Sequence, residues 1–206
     1  MAVSKNSEHP WKGMSDKEII KSAGLYSKDA ETGKFGYNLA AVMLLGTDEI
    51  IKNVCPTYRT DALLRKVNTD RYDDRLIVET NIIDSYQLLF GFAVKHLWDK
   101  FYLGEDGIRS SPRNIIVREV LVNTLMHREF KSSYRAKFII EKDRMLTENA
   151  NRASSADILT PDSIEPDSKN PIMAAFFRNI GYADELDSGP EICTGMFAFI
   201  PGRDLR

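Results

Sequence analysis

Between Ser111 and Arg128 the chain reads Ser-Pro-Arg-Asn-Ile-Ile-Val-Arg-Glu-Val-Leu-Val-Asn-Thr-Leu-Met-His-Arg, and no other segment constrains the fold as much. Ser111 suits an N-cap and Pro112 the first helical position, so a helix is predicted from 112 to about 128. At roughly 100° per residue, Glu119, Asn123 and His127 share one stripe, while Val117, Val120, Leu121, Val122, Leu125 and Met126 cover most of the remaining circumference. A helix this apolar is expected inside a core. A carboxylate and an amide buried on it cost several kcal/mol unless they meet partners, so the stripe is expected to face a common cavity holding a polar ligand. Glu119 there can act as general base toward a water, and the Asn123 oxygen can ligate Mg²⁺, which joins few protein ligands to phosphate oxygens. A purely structural polar pair is the alternative.

The rest of the chain alternates helix and strand signals. Residues 1–14 are polar, apart from the His9-Pro10-Trp11 punctuation, and read as a tether. Ser15-Asp16-Lys17-Glu18 is a capping-box pattern ahead of a short helix ending near Gly24. Residues 37–45 read as a buried helix stopped by Gly46. Strands are predicted at 62–67 and 75–80, and a helix over 81–102 from its apolar recurrence. This closes a first α/β lobe at 15–106. The second lobe, 107–206, opens on the 112–128 helix and continues with a hairpin, 136–140 and 145–148. A long Ser/Asp/Asn/Pro-rich stretch at 149–170 has the composition of a lid or a mobile loop. A short helix over 170–180 and an apolar strand at 196–200 follow. The expected fold class is therefore α/β in two lobes.

Composition excludes several functions. The chain has 28 Lys+Arg against 30 Asp+Glu, a formal charge of -2, and no basic run marks an autonomous nucleic-acid binder. Cys55 and Cys193 lie far apart with no Cys/His cluster, so both are expected to be packed thiols rather than zinc ligands. No apolar run is long enough to span a bilayer and no signal-peptide core is present, so no membrane partner and a cytoplasmic location are expected. The lack of a Gly-x4-Gly-Lys-Ser/Thr loop argues against a helicase motor.

The pattern Pro112-x5-Arg118-Glu119-x3-Asn123-x3-His127-Arg128-x-Phe130 resembles the signature of the RecG-C-terminal-like (Schlafen/AlbA-associated) regulators, whose C-terminal domain is related to the GHKL ATPases. Residues 37–46 resemble that family's apolar helix ending in Leu-Phe-Gly. Lys169-Asn170-Pro171 resembles its Arg-Asn-Pro segment, and residues 181–192 its later Gly-rich segment. The resemblance implies a second lobe built as a GHKL-like α/β sandwich. It also implies ATP with Mg²⁺ as the ligand, Glu119 as general base and Asn123 as the Mg²⁺ ligand. His127, Arg128, Asn149, Ser188 and Gly189 would line the nucleotide site, Arg128 holding a phosphate and Asn149 accepting a hydrogen bond from the adenine amino group. DNA binding in such proteins belongs to an AlbA-like N-terminal domain that this chain lacks, and a homo-oligomer is a further expectation. Two departures fall on the phosphate-facing loops. Asn149-Ala150-Asn151 lacks the family's glycine, and Asp187 with Pro190 adds a carboxylate and removes an amide donor where phosphates need free N–H groups. The expected function is a regulatory, ATP-sensing module with negligible turnover; a true Mg²⁺-dependent ATPase and a degenerate structural or dimerisation domain are the alternatives.

Overall fold

A computed structural model of the protein describes residues 9–103, 109–150 and 169–182. The Ser15 N–H donates to the Glu18 carboxylate at 2.8 Å, the reciprocal half of a capping box, and α1 (Asp16–Ser22) follows. Gly24, at φ 69°, turns the chain out of it in the left-handed region that glycine adopts without strain. A hairpin not anticipated from the sequence comes next, β1 (Tyr26–Lys28) paired antiparallel with β2 (Phe35–Tyr37). Asn38 caps α2 (Leu39–Leu45) by accepting from the Ala41 N–H at 3.1 Å. Gly46 ends it. A Cβ there would stand 2.3 Å from the Val42 carbonyl oxygen, so this close approach admits only glycine. Thr47 then starts α3 (Asp48–Val54), also unanticipated.

The central sheet joins the two halves of the chain. β3 (Thr60–Arg65) pairs antiparallel with β4 (Asp74–Val78) on one side and parallel with β7 (Ala136–Glu141) on the other, and β7 pairs antiparallel with β8 (Met145–Glu148). The order is β4-β3-β7-β8. The fold is α/β, as expected. The boundary expected near residue 106 does not separate two sheets, because Thr60 to Arg65 register directly on Ala136 to Glu141. Between them run α4 (Ile82–His96), a small pair β5 (Tyr102–Leu103) and β6 (Arg109–Ser110), and α5 (Pro112–Met126). One core unites Leu25, Met43 and Leu44 from the first half with Leu121, Phe138 and Phe177 from the second. Side chains alternate along the strands, so Ala62, Phe138 and Ile140 face the helices while Asp61 lies on the opposite face. There burial works to raise the Asp61 carboxyl, but hydrogen bonds from Arg59 at 2.6 Å and Arg75 at 2.8 Å outweigh it and hold the group below its ordinary value. Among the described residues no helix is long and apolar enough to cross a membrane. Cys55 is buried, and burial pushes its thiol up, as a packed thiol requires; Cys193 lies outside the described residues.

One expected helix changes length for an identifiable reason. The helix expected over 81–102 ends at His96. Lys66 Nζ donates to the His96 carbonyl at 2.6 Å, and Asp99 is drawn instead to the start of α5, where its Oδ2 accepts from Ser111 Oγ at 2.8 Å. Residues 9–14, expected to be a tether, are not free either: His9 and Trp11 are buried on α6 (Pro171–Asn179).

The far end of α4 is pinned by Asp74, whose Oδ2 accepts from Lys95 Nζ and pairs with His96 Nε2, each at 2.8 Å. The Lys95 and His96 hydrogen bonds, with the Arg75 N–H, lower its pKa from the ordinary 3.8 to about 2. A carboxyl depressed in the folded state contributes stability that is fully present above its unfolded pKa and is lost as pH falls through the folded one. Asp74→Asn should therefore destabilise the protein near neutrality, and the gap from wild type should close as the pH drops from about 4 to 2. Urea melts across that range check this; a gap that persists unchanged at the acid end would show that Asp74 acts by packing rather than by charge.

Candidate functional site at the end of α5

The described part of the predicted site lies along α5 and its C-terminal end. Ser111 Oγ accepts from the Asn114 N–H at 3.2 Å and Pro112 occupies the first turn, so the helix starts where its sequence says. Ile116, Val117, Leu121, Val122, Leu125 and Met126 are buried. The helix is not apolar all round, however: Arg118 and Asn123 are exposed and Glu119 is half-buried. Asn123 Nδ2 donates to Glu119 Oε1 at 2.8 Å. The expectation that burial forces these two residues onto a ligand is thus corrected. They lie on the open side of the helix and partner each other, so the desolvation cost is not incurred. Their spacing does place them together, and among the described residues the Asn123 oxygen and the second Glu119 oxygen have no hydrogen-bond partner, which leaves them to a hydrated Mg²⁺ that needs few protein ligands. Among the described residues no group of three or more His, Cys, Asp or Glu could hold a metal.

The closing turn of α5 is capped by two asparagines from distant segments. The last carbonyls of any helix lack backbone partners. Here Asn149 Nδ2 donates to the Thr124 carbonyl at 2.8 Å and the His127 carbonyl at 3.2 Å. Asn170 Nδ2 donates to the Met126 carbonyl at 2.7 Å and the Arg128 carbonyl at 3.0 Å. Asn170 precedes Pro171 and sits at the N-cap of α6, yet its side chain does not cap its own helix. An Asn-Pro pair signals a helix start, and nothing local signals this second task. The Asn149 amide is therefore fixed in orientation, and its buried Oδ1 has no hydrogen-bond partner among the described residues. His127 is the half-buried C-cap residue of α5.

Arg128, expected to hold a phosphate, turns into the fold. It is 3% exposed, and its guanidinium runs to the start of β3, donating to Thr60 Oγ1 at 3.1 Å and to the Arg59 carbonyl at 3.3 Å. Its Cζ sits 4.7 Å from the Tyr58 ring centroid and 5.5 Å from that of Phe130. Burial pulls the group below its ordinary pKa, though a guanidinium stays charged near neutrality. Among the described residues none of its partners is a carboxylate, and its buried Nε has no hydrogen-bond partner. The reading of Arg128 as a phosphate holder is corrected: it joins α5 to the sheet. Ser188, Gly189, residues 151–168 of the loop expected at 149–170, and the strand expected at 196–200 lie outside the described residues.

Residues 1–61 match a family described as a domain of unknown function, DUF8451. No curated protein matches the chain. A solved structure does. The DIP2311 protein from Corynebacterium diphtheriae superposes with a TM-score of 0.64 at 16% identity, over 91% of this chain. At that identity the likeness concerns the fold alone, and it takes in both halves of the chain, in keeping with the shared sheet. The chain spans 37% of the DIP2311 chain.

Proposed function

We propose that this chain is a regulatory module of a larger DNA-associated protein and that it senses an adenine nucleotide without appreciable turnover. The observation that carries the reading is the Asn149 amide. Its nitrogen is tied to two carbonyls at the end of α5, and among the described residues no donor meets its buried oxygen. A buried acceptor with no partner is uncommon and costs about 1–3 kcal/mol. An exocyclic amine such as that of adenine would satisfy it once the cover over the oxygen opens, the role that the resemblance to RecG-C-terminal-like regulators implies for Asn149. The Glu119–Asn123 pair stands on α5, and its remaining oxygens, without hydrogen-bond partners among the described residues, can take hydrated Mg²⁺. Turnover is disfavoured because phosphoryl transfer depends on preorganised donors around the phosphates, and Arg128 is committed elsewhere. That commitment equally favours the rival reading, a structural domain whose nucleotide pocket is lost.

Thermal shift with Mg·ATP, Mg·ADP and Mg·ITP separates the two. Millimolar Mg·ATP should stabilise the protein by about 1–2 kcal/mol, at most a few degrees. ITP presents a carbonyl in place of the amine and should stabilise less. Equal shifts from ATP and ITP would remove Asn149 from the reading, and no shift from any nucleotide would leave the structural domain. Phosphate release should be negligible, and release abolished by Glu119→Gln would restore the ATPase.

A further inference from the structure

His9 and Trp11 hold α6 at the end opposite to Asn170. His9 is 8% exposed, and its Nε2 lies 2.8 Å from the Asn179 carbonyl, one of the orphan carbonyls that close α6. Its Nδ1 lies 3.1 Å from the Trp11 backbone nitrogen. A backbone N–H only donates and a carbonyl only accepts, so the ring carries its proton on Nε2 and uses both nitrogens at once. The Trp11 ring stacks at a tilt 5.5 Å from Phe176, and backbone bonds from Lys12 to His9 and from Met14 to Trp11 fold residues 9–14 into a tight turn. His9 thus completes a helix that begins more than 160 residues later in the chain.

The α6 helix has nine residues, too few to persist in water without tertiary support. Both of its ends are held from outside, by His9 at the C-terminus and through Asn170 to the Met126 and Arg128 carbonyls at the N-terminus. The same turn of α5 supplies the Thr124 and His127 carbonyls that orient Asn149. A continuous set of hydrogen-bonded contacts therefore runs from residues 9–14 through α6 to the end of α5 and the orphan Asn149 oxygen.

We propose that residues 9–14 are a docking strap whose engagement with α6 sets the order of the α5 end, so that strap release and occupation of the Asn149 site oppose each other. The strap's effect on α5 stands without any ligand; only the coupling to occupancy rests on the nucleotide reading. By linkage, a ligand that orders the α5 end must tighten the strap by the same factor that the strap tightens the ligand.

The test is hydrogen exchange on the full chain, comparing wild type with Trp11→Ala and with His9→Phe, which keeps ring bulk and removes both hydrogen bonds. Without ligand, both variants should speed exchange about tenfold in α6 and in residues 124–130, with β3 and β7 unchanged. Acceleration confined to residues 9–14 overturns the strap, and if Trp11→Ala does not fold, His9→Phe decides alone. With Mg·ATP, exchange at residues 12–14 should slow in wild type and the stabilisation should shrink in His9→Phe. A His9→Phe variant with a loosened α6 but an undiminished Mg·ATP response overturns the coupling. A wild type indifferent to Mg·ATP overturns the nucleotide reading and leaves the ligand-free comparison to decide the strap.

Discussion

Phe177→Ala should lower stability by about 3–5 kcal/mol, the upper range for a buried aromatic truncation. The cost of such a change depends on whether the site can collapse around the lost ring, and three features say that this one cannot. Phe177 is fully buried, and its ring meets Tyr86 on α4 edge-on at 6.0 Å and Tyr182 at 5.5 Å. Tyr86 and Tyr182 are themselves stacked at 4.6 Å, so the lost ring is the third member of a set already in contact. Phe177 also belongs to a helix too short to hold itself, so the cavity loosens α6 and with it the Asn170 bonds to the end of α5. In a protein of this size such a loss corresponds to a fall in melting temperature on the order of 10 °C. Urea denaturation gives the number directly as a lower midpoint at constant slope. Ile172→Ala, on the same helix but 38% exposed, is the control and should stay within about 0.5 kcal/mol of wild type. A Phe177→Ala loss no larger than that control would mean that α6 contributes little to the core.

Elements with strong local signals were legible in the sequence, and elements defined by distant pairing were not. The start of α5 is written in Ser111-Pro112, that of α1 in Ser15 and Glu18, and the β7–β8 hairpin in residues 136–148, each within a few residues of chain. β1 and β2 have three residues each, too few for a period to show, and their turn is closed by Asp29 accepting from the Thr32 N–H and Oγ at 2.6 and 2.7 Å. The parallel pairing of β3 with β7 has no local signature, because the partners lie more than 70 residues apart and only the crossover brings them together. Local signals alone therefore place a boundary near residue 106 that the shared sheet does not respect.

The site divides along the same line. Four-residue spacing put Glu119 beside Asn123, and the 2.8 Å hydrogen bond between them follows from helix geometry alone. Their burial did not follow, since periodicity says which residues share a face and not what covers it. The tasks of Asn149, Asn170 and His9 were invisible for a further reason: each caps helix carbonyls far away in sequence, and a cap supplied from a distance leaves no pattern in the helix it serves.

Arg128 gives the sharpest disagreement between spacing and structure, and three substitutions decide what its charge is for. Burying a guanidinium without a counter-ion costs several kcal/mol, and among the described residues two bonds to neutral acceptors and two aromatic faces offset it. Hydrogen bonds from a charged donor contribute about 1.5–3 kcal/mol each and desolvated cation–π contacts about 2. The attractive and repulsive terms are therefore of similar size. Arg128→Ala removes both, but it also opens a cavity between Tyr58 and Phe130 and strands the Arg59 carbonyl and the Thr60 hydroxyl. The expected loss is about 2–4 kcal/mol. Arg128→Met keeps much of the packed volume and deletes the desolvation cost, so it should lie within about 1 kcal/mol of wild type. Arg128→Lys should be worse than Met, because a compact, strongly hydrated ammonium cannot reach both acceptors or spread over two rings. Urea midpoints in the order wild type and Met, then Lys, then Ala would show that packing of the side chain, more than its charge, joins α5 to β3. A Met variant as unstable as Ala would reverse that conclusion and make the bonds to Thr60 and Arg59 the dominant attachment.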